Sequence, residues 1–427
     1  MKIELIRASS GLRGEVSPPA DKSISHRAVM LSSIAQGRSV IRNFLRAGDT
    51  MSTLGAFRSL GVNISVGDEI IVEGAGLRGL REPLAAIDCG NSGTTMRLVS
   101  GILSGNPFFS VLTGDESLVR RPMKRVIEPL RKMGASIMAR AGDSYPPIAV
   151  RGGDLKAIRY ETPVASAQVK SALLLAGLYA DGVTEVVEPL KSRDHTERML
   201  PALGADVEVS GLSVRVRGGR ELRGAEFHVP GDFSSAAFFM AAASIVEGSE
   251  LALRSVGVNP TRTGLLSVLE RMGARVEVSG VREIAGEPLA DLICRHSGLR
   301  AVEVGPEEIP SVIDEFPVLC VLASQAEGTT VIRGAGELRV KESDRIRSMA
   351  DGLRRMGASV EELEDGIAIG GRAALKGAVV ESYGDHRVAM AFSVAALVAD
   401  GTTVISDAGA ADISFPGFFD RLRELAG

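Results

Sequence analysis

One segment type recurs six times along the 427 residues: a polar or charged start, about ten small and apolar residues, then a glycine and a short strand-like run. The copies are SHRAVMLSSIAQG ending at Gly37, TTMRLVSGILSG at Gly105, QVKSALLLAGLYADG at Gly182, SSAAFFMAAASIVEG at Gly248, EFPVLCVLASQAEG at Gly328 and HRVAMAFSVAALVADG at Gly401. A second, amphipathic segment ending in Leu-x-x-Leu/Met-Gly, with Phe for the first Leu in the first copy, closes at Gly61, Gly134, Gly204, Gly273 and Gly357, and the final FFDRLRELAG is a sixth. A spacing of about 70 residues therefore predicts six copies of one α/β unit, each with two helices and several short strands.

The first helix type is Ala-, Leu- and Ser-rich nearly all round and is expected to be buried. The second carries Arg, Lys and Glu on one face and should lie outside. Glycines after the buried helices suit a left-handed C′ position. If repeat symmetry makes three buried helices parallel in each half, their N-termini can converge and offer free N–H groups to anions. An ordinary open α/β sheet with the same caps remains the alternative at this point.

The net charge of −4 gives no global attraction to nucleic acid or an anionic membrane, so any anion site must be local. Cys89, Cys294 and Cys320 are odd in number and far apart, which suggests buried thiols in a reducing compartment rather than disulfides or a metal site. The N-terminus has no apolar leader-like run, and no apolar stretch approaches the length of a membrane span, so a cytoplasmic, soluble chain is expected.

Polar clusters sit where the buried helices begin. Asp21, Lys22, Ser23, Ser25, His26 and Arg27 precede the first, and capping explains one Ser or Asp but not two cations beside them. GNSGTTMR, Gly90 to Arg97, has glycines that allow backbone amides to approach a ligand, although a tight turn would look the same. Arg120, Arg121, Lys124 and Arg125 are either a solvated face or an anion site. Ser166 and Gln168 open another helix, with Arg193 and His195 nearby in sequence. Asp314 precedes the fifth helix as an N-cap or a proton-transfer group, and Lys341, Glu342, Arg345 and Arg347 follow, with Asp385, His386 and Arg387 at the sixth. Lys341 and Arg345, four apart, would repel on one helical face unless an anion lay between them. The motifs of zinc proteases, P-loop NTPases and serine hydrolases are absent.

DKSISHR, GNSGTTMR, GDESLVRRPM, PVASAQVKSALLLAGL, SRDHTERML, VPGDFSSAAFF, IDEFPVL, RVKESDRI and GDHRVAM, in that order over residues 8 to 419, resemble the EPSP synthase family. The resemblance implies a two-domain α/β enolpyruvyl transferase fold, each domain a threefold βαβαββ repeat. Residues 1–20 with 230–427 would form one discontinuous domain, and 21–229 the inserted one. It implies that Lys22, Ser23, Arg27, Ser166, Ala167, Gln168, Arg193, Asp314 and Lys341 hold shikimate 3-phosphate. Lys22, Gly93, Arg121, Gln168, Arg345 and Arg387 would hold phosphoenolpyruvate. Asp314, Lys341, Glu342 and Lys22 would surround the reacting centre. One departure stands out: many members carry Lys just before the late Ser/Thr-Phe-Pro segment, where this chain has Ile413.

The chemistry implied is attack of a 5-hydroxyl on C2 of phosphoenolpyruvate with proton delivery to C3, then loss of phosphate. Asp314 would be the hydroxyl base, Lys341 would stabilise its anion, and Glu342 or Lys22 would be the C3 donor. No metal or organic cofactor is implied. The expected partners are the two anionic substrates, with glyphosate as a donor-mimicking inhibitor, and a monomer is expected. The nearest rival, transfer to UDP-N-acetylglucosamine, goes with a reactive Cys in the loop that here runs from Gly114 to Arg121 without one. A non-catalytic anion-binding scaffold would have no use for a carboxylate base among anionic ligands.

Overall fold

The computed structural model describes the whole chain, Met1–Gly427, except the side chain of Ile413. It divides into two compact units. A terminal unit comprises Met1–Pro19, Pro230–Arg282 and Pro288–Gly427, and a central unit comprises Ala20–Val229 with Glu283–Glu287.

The central unit holds three four-stranded sheets built to one plan. In the second copy, Ile87–Asp88 runs parallel to Phe109–Thr113, which pairs antiparallel with Tyr145–Arg151 and through it with Ser136–Ala139. The helices Gly93–Ser104 and Lys124–Lys132 fall between the first strands, giving β-α-β-α-β-β in chain order. Arg159–Glu161, Val183–Val187, Ser213–Arg217 and Val207–Ser210 repeat it. The first copy differs in origin only: its parallel strand, Glu226–His228, comes from the far end of the unit and pairs with Gln36–Arg42.

The terminal unit uses the same device twice. Arg13–Val16, from the N-terminus, supplies the parallel strand to Glu250–Gly257. Ile3–Leu5 pairs antiparallel with Thr403–Ser406, which is parallel to Val379–Glu381, so the last sheet has three strands and takes one from the start of the chain. The middle copy, Glu303–Val304, Thr329–Ile332, Gly366–Gly370 and Ser359–Leu363, is contiguous.

Six helices form the cores of the two units: Lys22–Ile34, Gly93–Ser104 and Ala167–Gly177 in the central unit, and Phe233–Ile245, Phe316–Gln325 and His386–Ala396 in the terminal one. Their all-round apolar sequence is matched by all-round burial; Phe233–Ile245 is buried from Phe233 through Ser244. Each fully buried Leu, Val or Phe contributes about 1.5–3 kcal/mol. Such a helix is stable only inside a unit where others cover every face, and each unit has one continuous apolar cluster around its three.

The glycines divide differently from expectation. Those following the outer helices do adopt the left-handed cap, with φ of 87° at Gly61 and 92° at Gly357. The Schellman bond from the next amide back to the last turn is present at all five such helices, for example Val62 N–H to Phe57 O at 3.0 Å and Ala358 N–H to Leu353 O at 2.9 Å. The buried helices end at Ile34, Ser104, Gly177, Ile245, Gln325 and Ala396, so Gly37, Gly182, Gly248, Gly328 and Gly401, although left-handed with φ from 76° to 100°, lie beyond the C′ position. Gly105 has an ordinary φ of −91°. It is glycine because a Cβ would meet the Tyr179 ring at 2.2 Å.

Candidate active site

Four of the six buried helices are capped by the side chain before them. Asp21 accepts from Ile24 N–H at 2.9 Å, Ser92 from Thr95 at 3.0 Å, Asp232 from Ser235 at 3.1 Å and Asp385 from Arg387 at 2.9 Å. The helices at Ala167 and Phe316 have no side-chain cap, although Ser166 and Glu315 occupy the capping positions. Asp314 therefore does not serve as an N-cap.

In the central unit the sequence-selected cations gather at the helix starts. Lys22 Nζ lies 3.2 Å from Asp49 Oδ2. Burial would push Asp49 up, but Lys22, His26 and Arg121 hold it below the usual carboxylate range. Arg121 donates to Asn91 Oδ1 at 2.7 Å and Ser117 Oγ at 3.2 Å. Gln168 accepts from Arg97 Nη1 at 2.5 Å and donates to Thr94 Oγ1 at 3.0 Å, which ties the starts of two buried helices together. Gly93 lies beside these groups: a Cβ there would be 2.8 Å from Arg97 Nη1 and 3.7 Å from Arg121 Nη1.

Arg27 is buried, and its guanidinium donates to Thr196 Oγ1 at 2.8 Å, Ser23 O at 3.0 Å and Ser171 Oγ at 2.9 Å. Those bonds fix its plane and use three of its five N–H groups, so two remain for an anion. Burial pushes it down to about 10, partly offset by Glu197, Asp21 and Glu287, while Arg193 stands near enough to add repulsion. It stays charged at neutral pH. Behind it, Lys170 is buried between Glu188 at 2.6 Å and Glu197 at 2.7 Å. His26 is structural: buried and bonded through Nδ1 to Thr53 at 2.6 Å, it is pushed down to about 3 by loss of solvent.

The terminal unit gathers acids and arginines. Asp314 Oδ2 is 3.3 Å from Arg262 Nη1 and 3.4 Å from Arg387 Nη2, and its Oδ1 is 3.6 Å from Arg345 Nη1. Arg387 also donates to the Asp314 carbonyl at 3.1 Å. Arg345 is buried and pairs through Nε with buried Asp385 at 2.8 Å and through Nη2 with Glu342 at 2.7 Å. Burial would lower its proton affinity, but Asp385, Glu342 and Asp314 raise it further. Its Nη1 has no hydrogen-bond acceptor, a buried donor on the side facing Asp314.

Lys341 stands apart from this group. It ends the short 3-10 segment Gly336–Val340, while Arg345 begins the helix Arg345–Arg355, so the two cations do not share a helical face. Lys341 Nζ pairs instead with Glu337 at 2.8 Å.

Comparison with known proteins now decides the family. A family model, EPSP synthase (3-phosphoshikimate 1-carboxyvinyltransferase), matches residues 6–422. The chain belongs to the EPSP synthase family. It is similar to the 3-phosphoshikimate 1-carboxyvinyltransferases of Syntrophomonas wolfei, 55% identical over 97% of both chains, and of Geobacter metallireducens, 54% identical over the full length of both. A solved EPSP synthase from Acinetobacter baumannii superposes with a TM-score of 0.92 at 46% identity, covering all of this chain and 98% of that one. The repeated two-domain α/β fold is that of EPSP synthases, and these likenesses favour this family's reaction over transfer to UDP-N-acetylglucosamine.

Within this EPSP synthase framework, several polar residues escaped sequence reading. Asp49 lies in the first turn of the helix Gly48–Ser59, Arg262 in a turn and Glu315 just before a helix, and their partners lie far along the chain. Arg97 falls inside a recognised motif, but nothing local distinguishes a ligand contact from a brace. The Ile413 side chain, at the position where many members carry Lys, lies outside the described residues. Among the described residues no three His, Cys, Asp or Glu side chains come together to hold a metal, and no helix is long and apolar enough to cross a membrane.

Proposed function

We propose that this chain transfers the enolpyruvyl group of phosphoenolpyruvate to the 5-hydroxyl of shikimate 3-phosphate, with Asp314 as the hydroxyl base. The observation that carries the reading is the Asp314 carboxylate among Arg262, Arg345 and Arg387 at the start of a buried helix without capping it. A carboxylate that does not cap its helix, held among three arginines of which Arg345 and Arg387 suit an anionic donor, is arranged for proton transfer.

The 5-hydroxyl oxygen bonds to C2 of phosphoenolpyruvate while its proton passes to Asp314, and C3 gains a proton from Glu342 or Lys22. The tetrahedral intermediate then breaks its C2–O bond to phosphate and loses a C3 proton, restoring the double bond. Lys22, Gly93, Arg121, Gln168, Arg345 and Arg387 hold the donor. Lys22, Ser23, Arg27, Ser166, Ala167, Gln168 and Arg193 hold the acceptor, with Asp314 and Lys341 near its ring. For Lys341 this requires release from Glu337. Each set draws residues from both units. The same reading has the enzyme act as a cytoplasmic monomer that glyphosate inhibits.

Phosphate release with phosphoenolpyruvate and either shikimate 3-phosphate or UDP-N-acetylglucosamine tests the reaction. Only the first acceptor should support turnover. Asp314→Asn keeps shape and removes basicity, so kcat should fall by about 10²–10⁴ with substrate binding little changed. Near-normal turnover would reassign the base.

A further inference from the structure

Three arginines touch Asp314, but they are not equivalent. Arg345 has a buried donor without an acceptor, and Arg387 and Arg345 are the pair suited to the donor anion. Arg262 is already committed. It lies on the turn between the strand Glu250–Gly257 and the helix Gly264–Met272, with only 5% of its side chain exposed. Asn259 pins that turn: its carbonyl accepts from Arg262 N–H at 2.8 Å, and its side chain accepts from Thr261 N–H at 2.9 Å. One end of the guanidinium, Nη1, lies on Asp314 Oδ2 at 3.3 Å. The other, Nη2, donates to Ser234 Oγ at 2.8 Å and lies 3.7 Å from the helix cap Asp232. Ser234 in turn donates its hydroxyl proton to Glu315 Oε1. Glu315 is buried next to Asp314, and loss of solvent raises its proton affinity.

We propose that Arg262 is a positioning residue for the reaction: braced by Ser234, Glu315 and Asp232, it holds Asp314 through Oδ2 so that Oδ1 is presented to the acceptor hydroxyl. The planar fork suits this task, because two nitrogens on one rigid group link the starts of the helices Phe233–Ile245 and Phe316–Gln325 to one carboxylate oxygen. When the donor engages Arg345 and Arg387, Arg262 is the cation that stays on Asp314. It therefore fixes the orientation of the base and keeps a positive charge beside its carboxylate. Arg262, Arg345, Arg387 and Glu315 are charged or titratable groups close to Asp314, and Asp232 bears on it through Arg262.

The inference rests on Asp314 being the base, and Asp314→Asn run alongside separates the two ideas. Arg262→Gln should lower kcat by about 10- to 100-fold, part of the 10²–10⁴ a positioned base supplies, with KM for both substrates changed less than about threefold. The acid limb of its kcat–pH profile should move up by about one pH unit, since a cation has left the carboxylate. Arg262→Lys, which keeps charge but loses the fork, should restore the limb and only part of kcat. Ser234→Ala, which cuts the brace but leaves Arg262, should lower kcat without moving KM, and it stands in for Arg262→Gln if that variant does not fold. An unmoved acid limb in Arg262→Gln, or a loss expressed in KM with kcat intact, overturns the proposal. If Ser234→Ala must be used instead, unchanged kcat overturns it. Full activity in Asp314→Asn would overturn the base assignment instead.

Discussion

Seating the donor on Arg345 should change the proton affinity of Glu342. In the free protein burial pushes the Glu342 carboxyl up, but Arg345, at 2.7 Å, with His386 and Arg387 outweighs it and holds the group down to about 2. A carboxyl that acidic carries no proton at neutral pH and cannot deliver one to C3. A donor anion resting on Arg345 and Arg387 brings negative charge to the same guanidinium groups. A unit charge about 5 Å from Glu342 raises the cost of ionising it by about 3 kcal/mol at an effective dielectric of 20, and by about 1 kcal/mol in bulk water. The side chain keeps 37% of its surface exposed, so the value lies between those limits. That corresponds to a midpoint raised by about one to two pH units per charge, and phosphoenolpyruvate brings both a carboxylate and a phosphate. The carbon-13 shift of labelled glutamate carboxyls, with the Glu342 signal assigned through Glu342→Gln, reports this directly. The midpoint should rise by at least about one pH unit when shikimate 3-phosphate and an inert donor analogue are bound. A midpoint that stays put with both ligands demonstrably bound would refute the shared-guanidinium argument and leave the C3 proton to Lys22.

Two further perturbations test the central unit. In Gly93→Ala the new methyl drives Arg97 off Gln168, and loss of a charge-assisted bond of about 1.5–3 kcal/mol should raise KM for phosphoenolpyruvate roughly 10- to 100-fold. Inhibition by glyphosate should weaken more than kcat/KM does; unchanged inhibition, or a native enzyme indifferent to the compound, sinks that reading. Lys170→Met leaves Glu188 and Glu197 buried without their cation, so urea unfolding at pH 7.5 should show a loss of about 3–5 kcal/mol. Burial already raises Glu197, and without Lys170 its carboxyl binds a proton more tightly folded than unfolded. The variant should therefore regain stability as pH falls through the raised folded value, and a deficit equal at pH 5.5 and 7.5 would contradict the account.

The repeat was legible because two local signals mark it independently. All-round apolar stretches such as SSAAFFMAAASIVEG can be stable only inside a core, and Leu-x-x-Leu/Met-Gly couples an amphipathic stripe to a left-handed cap. What local sequence could not carry is the permutation of the sheets. Ile3–Leu5 pairs with Thr403–Ser406, and Glu226–His228 with Gln36–Arg42. A strand of three residues has no periodicity of its own, and a partner hundreds of residues away leaves no trace in its neighbours.

The same physics separates the candidate residues that sequence singles out from those that only the structure brings forward. Lys22, Arg121, Arg345 and Arg387 sit in dense polar runs next to apolar helices, where a cation without an obvious partner is conspicuous. Arg262 lies in NPTRTG, a turn-rich loop in which one arginine is unremarkable, and its meaning comes entirely from Asp314, Ser234 and Asp232. Lys341 shows the converse: it belongs to a dense run, yet the chain turns between it and Arg345, and it pairs with Glu337. Clustering in sequence therefore identifies where charge is concentrated, while three-dimensional pairing decides which charges are spent on the protein and which remain for a ligand. By that criterion Arg345 Nη1, buried and without a hydrogen-bond acceptor although Asp314 Oδ1 lies 3.6 Å away, is a stronger sign of an anion site than the cation count of any segment, because a buried donor left without a hydrogen bond costs about 1–3 kcal/mol that a bound anion would recover.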